Sequence, residues 1–521
     1  MNRHMSRREF LQATGVGVVG VSTLGLGACM SQRQTRPNII LILADDLGWA
    51  DTAVRMSLKW EKSYHPIQQT PNLQRLSDQG MTFSQAYAAS PVCSPTRDAV
   101  LTGKTPTRLH HSILLGKMDF DENSPTIPKI LKEVDPTYVT AHFGKWGCTP
   151  KEPEDGGYDV SDGDTDNWHG DWRYVDGEKT RLPVDDPKRI FSVTTTARKF
   201  MREQVTADRP FFMQISHYAA HVGHFALPET IKKYEGLGLE GDAAVYAAMV
   251  EDMDTGLGGL LDEMKTLNIT DNTYFIFTSD NGGDFWEDGL LRGGKASLWE
   301  GGVRIPTIIS GPGIAAGSRC QAPIAQWDFL PTIKSLAGDN TPMAPEFDGG
   351  DISPLIFNQS DKEVIRGTKD LIFYYPWFDS LPMACIIRGD YKLVKDLNTE
   401  ECRLFDLSLD MGENQDATTQ NTELAADMRT TLEKYLKDVE AEDLEALRVN
   451  READLRRWTV RDQEIEERLT KELSMEKNSS KVDSLQTELE MIKKRLYNHE
   501  KALERVRIGR LRRAWEKENL E

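Results

Sequence analysis

The sequence of 521 residues has few cysteines, fewer basic than acidic residues, and no long apolar runs. Six cysteines are too few for a fold held together by disulfides. The 63 lysines and arginines are outnumbered by 82 aspartates and glutamates, and the net charge of -19 argues against a general nucleic-acid binder. A mean hydropathy of -0.50 excludes a polytopic membrane protein, and 39% hydrophobic residues exclude a disordered acidic chain. These absences leave a soluble globular body, long enough for two or three domains.

The first 28 residues predict an export signal. Residues 6–11 read SRREFL, a twin-arginine run, and the apolar stretch from Val16 to Ala28 is too short to span a bilayer. The stretch ends in LGAC, which resembles the lipobox of bacterial lipoproteins and makes Cys29 the first mature, lipid-carrying residue. We therefore expect export of the folded protein through the Tat translocon and a lipid-anchored location in the bacterial periplasm or at the outer membrane or cell surface. The alternative is a cytoplasmic chain that begins with an amphipathic helix.

Two apolar runs that end in acidic residues organise the body. Residues 38–44 and 272–279 are continuous β-prone segments, typical of strands buried on both faces of a parallel sheet. Between them lie helical patterns and one further strand, at 126–133, 191–205, 243–267 and 210–216. This alternation predicts an α/β domain over 36–348, with a large mixed, mostly parallel sheet flanked by helices. Functional groups are expected at the carboxyl ends of its strands.

A smaller unit is predicted over 349–439. Its short strand patterns and one closing helix lie at 371–377, 384–388, 391–395, 403–407 and 422–439. Arg388-Gly389-Asp390 is a hairpin turn between two of the strands, so an α+β subdomain with an antiparallel sheet is expected. Cys385 and Cys402 are candidates for a disulfide across this sheet.

Residues 440–521 contain no proline and, as their one glycine, Gly509. Apolar residues recur at heptad spacing from 482 to 506, and Asp462 interrupts a poorer seam upstream. A turn at 478–480 would let two long helices fold back as an antiparallel, coiled-coil-like hairpin. We expect a structural role or self-association through these C-terminal helices, and no catalytic role.

Four side chains at the two strand ends suit a hard divalent cation. Asp45 and Asp46 follow the first strand, and Asp280 and Asn281 follow the second. Their oxygen donors favour Ca²⁺ or Mg²⁺ over a thiophilic metal, and several carboxylates at one ion favour calcium. The alternative is that acidic residues after strands cap the next helix, an interpretation we prefer for Asp51.

Residues 91–103 read PVCSPTRDAVLTG and resemble the signature of the type I sulfatases, Cys-x-Pro-x-Arg followed by a Leu-Thr-Gly helix. Further blocks resemble those of the family and occur in its order: DDLGW at 45–49, GKW at 144–146, SDNGG at 279–283, RGGKASLWEGGVRIP at 292–306, LFDL at 404–407 and GEN at 412–414. The resemblance covers about residues 36–437. It implies an arylsulfatase-like, alkaline-phosphatase-like fold and an enzyme that hydrolyses sulfuric esters.

The resemblance also implies a cofactor and a set of roles. A maturation enzyme would oxidise Cys93 to formylglycine, whose hydrate would attack sulfur beside the cation. Arg97 would steady that group, and Lys145 and Lys295 would neutralise sulfate oxygens or protonate the departing alcohol. The implied catalytic residues are Cys93, Arg97, Lys145, His221 and Lys295; the substrate-binding residues are Lys145, His217 and Lys295; the metal ligands are Asp45, Asp46, Cys93, Asp280 and Asn281.

One departure from the family pattern affects the acid–base assignment. Gly147 lies where the family commonly has histidine, in Gly-Lys-Trp-His. His221 alone, His142 or His217 could move the proton instead, although a packed structural role is the better interpretation of His142.

The expected activity is release of inorganic sulfate from an organic ester, with a sulfated sugar as the expected substrate and a sulfated small molecule or glycan as partner. A second hypothesis is a phosphonate or phosphodiester hydrolase that uses the same group and metal. A third is a catalytically silent glycan-binding lipoprotein.

Overall fold

The computed structural model describes residues 36–520 except 114–117, 119, 176–177, 287–289, 359–363, 378–380 and 477–478. The predicted export signal and Cys29 lie outside the described residues. Among the described helices, none combines the length and apolar character that a membrane span requires.

Sixteen strands occur in the described part of the chain. Twelve precede residue 330: β1 (Asn38–Ala44), β2 (Met81–Phe83), β3 (Ala86–Tyr87), β4 (Val139–Gly144), β5 (Val160–Ser161), β6 (Trp172–Val175), β7 (Glu178–Arg181), β8 (Phe211–Ser216), β9 (Thr273–Ser279), β10 (Thr307–Ser310), β11 (Ser318–Cys320) and β12 (Ile324–Ala325). Four follow it: β13 (Leu371–Tyr375), β14 (Met383–Arg388), β15 (Tyr391–Asp396) and β16 (Cys402–Asp406).

The described part of the chain also contains twelve α-helices: α1 (Pro71–Gln79), α2 (Cys93–Thr102), α3 (Ile127–Val134), α4 (Ile190–Thr206), α5 (Pro228–Gly236), α6 (Asp242–Thr266), α7 (Glu300–Val303), α8 (Phe329–Leu336), α9 (Ser353–Ile356), α10 (Thr422–Asp438), α11 (Leu444–Met475) and α12 (Ser479–Leu520). Short 3₁₀ turns occupy Asn167–Gly170, Pro187–Arg189, Thr270–Asn272 and Gln326–Asp328.

The central sheet has eight strands in the order β11-β2-β10-β9-β1-β8-β4-β5. β1 pairs in parallel with both β8 and β9, whereas β10 runs antiparallel to β9 and β2. Ile39 and Leu41 face one hydrophobic core, and Ile40 and Ile42 face the other, so both faces of β1 are buried. This double burial is the physical reason for the uninterrupted apolar run. The predicted mixed, mostly parallel sheet flanked by helices is confirmed.

The separate four-stranded sheet β13-β14-β15-β16 is antiparallel, as predicted, and α10 packs against it. Gly389 lies in the β14–β15 turn with a φ of 57°, a value that glycine adopts readily. β15 separates Cys385 on β14 from Cys402 on β16. Both cysteines are unpaired, so the candidate disulfide between them does not form. The spacing of strand patterns along the sequence does not by itself show which strands are neighbours in the sheet.

Helices α11 and α12 form the predicted antiparallel hairpin. One apolar cluster joins Leu455 to Val506, and a second joins Leu469 to Leu485. Asp462, buried in the seam between them, accepts a hydrogen bond from Arg495 Nε at 2.9 Å. The carboxylate that interrupts the apolar pattern is therefore paired across the hairpin.

Candidate active site

Three carboxylates meet at the carboxyl ends of two neighbouring strands. Ala44 of β1 pairs with Ser279 of β9, so the residues that follow each strand lie side by side. The Asp46 amide donates a hydrogen bond to Asp280 Oδ1 at 3.1 Å, and Asp45 and Asp280 are fully buried. Carboxylates gathered in this way repel one another unless cations lie between or beside them.

Asn281 adds a neutral oxygen to the carboxylates. Its Nδ2 donates to Asp46 Oδ1 at 2.8 Å and to the Gly282 carbonyl at 2.9 Å. Its Oδ1 is buried and has no hydrogen-bond partner among the described residues. A buried amide oxygen without a donor is costly, and a bound cation would satisfy it.

Cys93 is the first residue of α2 and faces these strand ends. Its Sγ lies 3.4 Å from Asp45 Oδ1 and 3.8 Å from Asp46 Oδ1, and its side chain is buried. One helical turn later, Arg97 donates to Asp280 Oδ2 through Nε at 3.1 Å and through Nη2 at 2.6 Å. The helix start and the sheet are thus fixed to each other by a buried ion pair.

Two lysines complete the pairing of charges. Lys145, which follows β4, places Nζ 2.9 and 2.7 Å from the two oxygens of Asp45. Lys295 places Nζ 2.5 Å from Asp46 Oδ2, and its side chain is 16% exposed against 3% for Lys145. Each carboxylate of the cluster therefore contacts at least one cation, and Arg97 pairs with Asp280 and, at 3.8 Å, also with Asp45.

The pKa values in this cluster follow from burial and from these contacts. Burial by itself would raise the pKa of Asp45, but Lys145 above all outweighs it, and the pKa of Asp45 falls to about 2. Burial and then Asp280 raise the pKa of the Cys93 thiol well above its ordinary value. Asp45 is therefore ionised at neutral pH, as a metal ligand must be, whereas the unmodified thiol is protonated.

The histidines differ in their access to this cluster. His221 Nε2 lies 3.8 Å from Asp46 Oδ2, and its side chain is 15% exposed. His217 is buried, burial lowers its pKa to about 4, and its Nε2 has no hydrogen-bond partner among the described residues. Burial and then Arg97 lower the pKa of His142 to about 3, and its Nε2 lies 3.1 Å from Ser216 Oγ. His142 is a packed histidine, and His221 is the one of these three that reaches the opening of the site.

Gly147 has a φ of +59°, and a Cβ added there would lie 3.3 Å from Arg97 Cδ and 3.6 Å from Lys145 Cε. A histidine at this position would need a strained backbone and a displaced arginine. The local packing thus accounts for the missing imidazole.

The donor atoms fit a divalent cation. One ligand atom from each of Asp45, Asp46, Cys93 and Asp280 can be chosen so that all lie within 4.8 Å of one another. Ionised carboxylates and the Asn281 amide oxygen are hard ligands of the kind that Ca²⁺ and Mg²⁺ prefer.

A cleft of about 520 Å³ is lined in part by Lys295. Its lining also includes Trp49, Asp284 and Trp286, which the sequence analysis did not predict as site residues. The indole N–H groups of both tryptophans are buried without a hydrogen-bond partner among the described residues. Burial, the largest effect, raises the pKa of Asp284. Trp49 and Asp284 each follow an acidic strand end within a few positions, and that proximity in sequence was the available signal.

Comparisons with known proteins agree with this arrangement. A profile of the family described as Sulfatase matches residues 37–339. N-acetylgalactosamine-6-sulfatase from Canis lupus familiaris is 29% identical over 447 residues, covering 77% of this chain and 80% of that protein. The same enzyme from Rattus norvegicus is 30% identical over 374 residues, covering 64% and 68%. The crystal structure of Ps i-CgsB in complex with k-i-k-neocarrahexaose is 26% identical, with a TM-score of 0.66 over 77% of this chain and 93% of that one.

The profile spans more than half of the chain, and the match to the structure of Ps i-CgsB covers a larger share, 77%. The resemblance inferred from the sequence blocks is confirmed. The chain belongs to the sulfatase family, within the alkaline phosphatase superfamily, and is a sulfatase enzyme.

Proposed function

We propose that this sulfatase releases inorganic sulfate from sulfate esters of carbohydrates. The observation that carries the proposal is the single buried cluster in which Cys93 lies against Asp45 and Asp46 while Lys145 and Lys295 contact the same carboxylates. Relatives named N-acetylgalactosamine-6-sulfatase and a similar structure containing k-i-k-neocarrahexaose favour a sugar as the alcohol.

The proposed cofactor is Ca²⁺, with Mg²⁺ as the alternative cation. Asp45, Asp46, Asp280 and Asn281 would hold it together with the modified residue 93. When bound, the cation withdraws electron density from sulfate oxygens and neutralises their charge. The unpartnered Oδ1 of Asn281 and the ionised Asp45 support this ligand set.

The proposed modification is oxidation of Cys93 to formylglycine by a maturation enzyme, and the hydrated aldehyde would supply an oxygen nucleophile. The raised pKa of Cys93 supports a modified residue, since a buried protonated thiol is a poor nucleophile. Arg97 holds Asp280 and the Lys145 carbonyl, so it fixes residue 93 relative to the carboxylates.

The remaining side chains bind the ester and move a proton. Lys145 and Lys295 are proposed to contact sulfate oxygens, because their ammonium groups border the carboxylate cluster. His221 is proposed to protonate the departing alcohol, because it is the histidine at the opening of the site. His217 is proposed as a neutral substrate contact, since its pKa is low and its Nε2 is unpartnered among the described residues.

The test uses the full chain produced with a formylglycine-generating enzyme. Mass spectrometry of the peptide that contains residue 93, combined with sulfate release from sulfated mono- and oligosaccharides, should show the aldehyde and the activity together. The matched control is Cys402→Ala, which removes a partly exposed cysteine of β16 and should leave sulfate release unchanged. Full activity with only an unmodified thiol would overturn the proposed nucleophile.

We also propose export through the Tat translocon and lipid attachment at Cys29, on the basis of the SRREFL run and the LGAC sequence. Fractionation of a bacterial host should place the wild type with membranes. Cys29→Ser should shift it to the soluble periplasmic fraction, and paired Arg7→Lys and Arg8→Lys substitutions should retain it in the cytoplasm. A wild-type protein that remains cytoplasmic would contradict the proposal.

The hairpin of α11 and α12 is proposed to mediate self-association. Val460 and Met491 are apolar yet 56% and 57% exposed on it. Sedimentation velocity should show a mass above that of one chain, and the pair of substitutions Val460→Glu and Met491→Glu should return it to one chain. A monomeric wild type across a wide concentration range would contradict the proposal.

A further inference from the structure

The segment after β8 carries His221, and one carbonyl oxygen on this segment receives two side chains. His221 Nδ1 lies 3.2 Å from the carbonyl oxygen of Val222. Lys188 Nζ donates a hydrogen bond to the same oxygen at 3.1 Å. Because a carbonyl can only accept, a hydrogen bond from Nδ1 requires the proton on that nitrogen. The other ring nitrogen, Nε2, is the one that faces Asp46 Oδ2 at 3.8 Å.

Lys188 is built into the protein interior. Its side chain is 1% exposed, and Nζ lies 2.5 Å from Asp171 Oδ1. Lys188 and Arg189 both have a φ of 53°, a left-handed conformation that costs a non-glycine residue on the order of 1 kcal/mol. Two such residues in succession turn the start of α4 so that the lysine points inward. A lysine on the surface could reach solvent without this left-handed backbone conformation.

Asp171, the partner of Lys188, packs closely against the backbone of the His221 segment. Gly223 has a φ of +82°, and a Cβ built there would lie 3.0 Å from Asp171 Oδ2. The segment that carries Asp171 also reaches the other side of the site, since the Trp146 amide donates to the Thr165 carbonyl at 3.0 Å. The residues around 165–171 therefore contact both the Lys145 strand end and the His221 segment.

We propose that Lys188 is a positioning residue for His221. By holding the Val222 carbonyl, it orients the acceptor for Nδ1–H and so leaves Nε2 directed at the reacting ester. In the doubly protonated ring the Nε2 proton passes to the departing alcohol, while Nδ1 keeps its proton and its hydrogen bond to Val222. The inference rests on the proposed function in one respect, the role of His221 as the donor of the leaving-group proton. Lys188 itself does not touch the substrate, because Asp171 and Val222 occupy its ammonium group and its side chain is buried.

The test compares two substrates with matured wild type, Lys188→Met, Lys188→Arg and His221→Ala. A sulfated monosaccharide needs a proton on its departing alcohol, whereas 4-nitrophenyl sulfate releases a stable phenolate. Lys188→Met is expected to lower kcat on the sugar sulfate by about 10²-fold, with less than about threefold change on the aryl sulfate and little change in KM. Lys188→Arg should recover part of the loss, since a guanidinium can also bond to both oxygens.

The matched control is Lys132→Met. Lys132 makes the same kinds of contact, to the Gly157 carbonyl at 2.7 Å and to Asp159 Oδ1 at 2.7 Å, but lies on α3. It should leave both kcat values unchanged. An equal fall of kcat on both substrates in Lys188→Met, or no fall on either, would overturn the positioning role.

A second measurement does not depend on turnover. The ¹⁵N chemical shifts of the His221 ring, assigned by loss of its signals in His221→Ala, should report Nδ1–H in the wild type and a mixture of tautomers in Lys188→Met. Unchanged shifts would overturn the inference. Failure of the proposed function gives a different pattern: wild type releases no sulfate, or His221→Ala slows both substrates equally, while the ring shifts still respond to Lys188→Met.

Discussion

Two buried clusters of charge both include residues of the segment 292–304, and they serve different purposes. The site cluster contains Asp45, Asp46, Arg97, Lys145, Asp280 and Lys295. The second, which we name the junction cluster, contains Tyr87, Glu300, Arg304, Lys392 and Glu413. Both combine carboxylates and cations away from water, so burial of charge alone does not distinguish a reactive site from a structural one.

The junction cluster is closed by its own members. Lys392 Nζ lies 2.9 Å from both Glu300 Oε1 and Glu413 Oε1, and Arg304 Nε lies 2.5 Å from Glu300 Oε2. The Glu300 amide donates to Glu413 Oε2 at 2.7 Å. These bonds attach β15 of the C-terminal sheet to the helix that follows Lys295. The cluster therefore fixes the position of the segment that carries Lys295, the lysine proposed to contact sulfate oxygens.

The site cluster differs in three respects. It contains a cysteine in contact with two carboxylates, and the Asn281 oxygen beside it has no hydrogen-bond partner within the described residues. It also opens to solvent through Lys295 and His221, which are 16% and 15% exposed. An unsatisfied donor set with a path to solvent, rather than charge as such, indicates where chemistry takes place.

The largest effect is expected for Cys93→Ala. Removal of the residue proposed to provide the nucleophile should lower sulfate release by a factor on the order of 10⁴ or more, since no other side chain replaces it. Steady-state assay of matured protein measures the loss. The variant should unfold at nearly the wild-type temperature, because the substitution removes one small buried group and no member of an ion pair. Activity within tenfold of wild type would contradict the assignment.

A smaller but still large effect is expected for Asp46→Asn. Loss of one proposed carboxylate ligand should weaken Ca²⁺ binding by at least about 10²-fold, because the remaining donors carry less charge. Calcium should raise the unfolding temperature of the wild type and not that of the variant, which calorimetry with and without a chelator measures. The control is Asp262→Asn on α6, whose exposed carboxylate pairs with Arg75 of α1. An equal calcium response in Asp46→Asn and wild type would remove Asp46 from the ligand set.

The site cluster could be predicted from the sequence, because short-range patterns identify the strand ends and the helix start that form it. The apolar runs before Asp45 and Asp280 predict buried strands, and parallel strands bring their following residues together. The block around Cys93 adds the helix start. The junction cluster was not predicted, because Lys392 reads as an ordinary polar position of a strand and its partners lie far away in sequence.

Lys188 illustrates the same limit on sequence reasoning. Nothing in the residues around it distinguishes it from a solvated lysine, and its partners Asp171 and Val222 are set by how two loops meet. The failed Cys385–Cys402 pairing has a similar cause, since strand order within the small sheet is a long-range property. Patterns along the chain predict elements and their ends, whereas contacts between loops require the folded structure.

The junction cluster should affect stability more than the site cluster does. Lys392→Met leaves Glu300 and Glu413 buried with one cation fewer and should lower the free energy of unfolding by about 3–5 kcal/mol. Lys434→Met, which removes an exposed pair with Asp438 on α10, should cost less than about 0.5 kcal/mol. Urea denaturation measures both. A loss for Lys392→Met as small as that of the control would show that the cluster is not needed to hold the sheet in place.

The smallest expected effect is a difference between the two clusters in how their contributions to folding stability depend on pH. Burial, the largest cause, raises the pKa of Glu413 to about 7 despite the opposing Lys392, whereas Lys145 above all keeps the pKa of Asp45 at about 2. The folded chain thus binds the Glu413 proton more tightly than the unfolded chain, so this contribution to stability is complete below the ordinary value of 4.5 and is lost as pH rises through 7. The Asp45 contribution is present above 3.8 and is lost only as pH falls through 2.

Between pH 8 and pH 5 the two clusters should therefore respond differently to acid. From pH 8 to pH 5, the free energy of unfolding of the wild type should rise relative to that of Glu413→Gln by on the order of 1 kcal/mol. Urea denaturation at each pH measures this difference. Glu423→Gln, an exposed substitution on α10, should keep the wild-type slope. Parallel curves for wild type and Glu413→Gln would mean that Glu413 stays ionised beside Lys392, and the junction cluster would then be as fully charged as the site cluster at every pH at which the enzyme works.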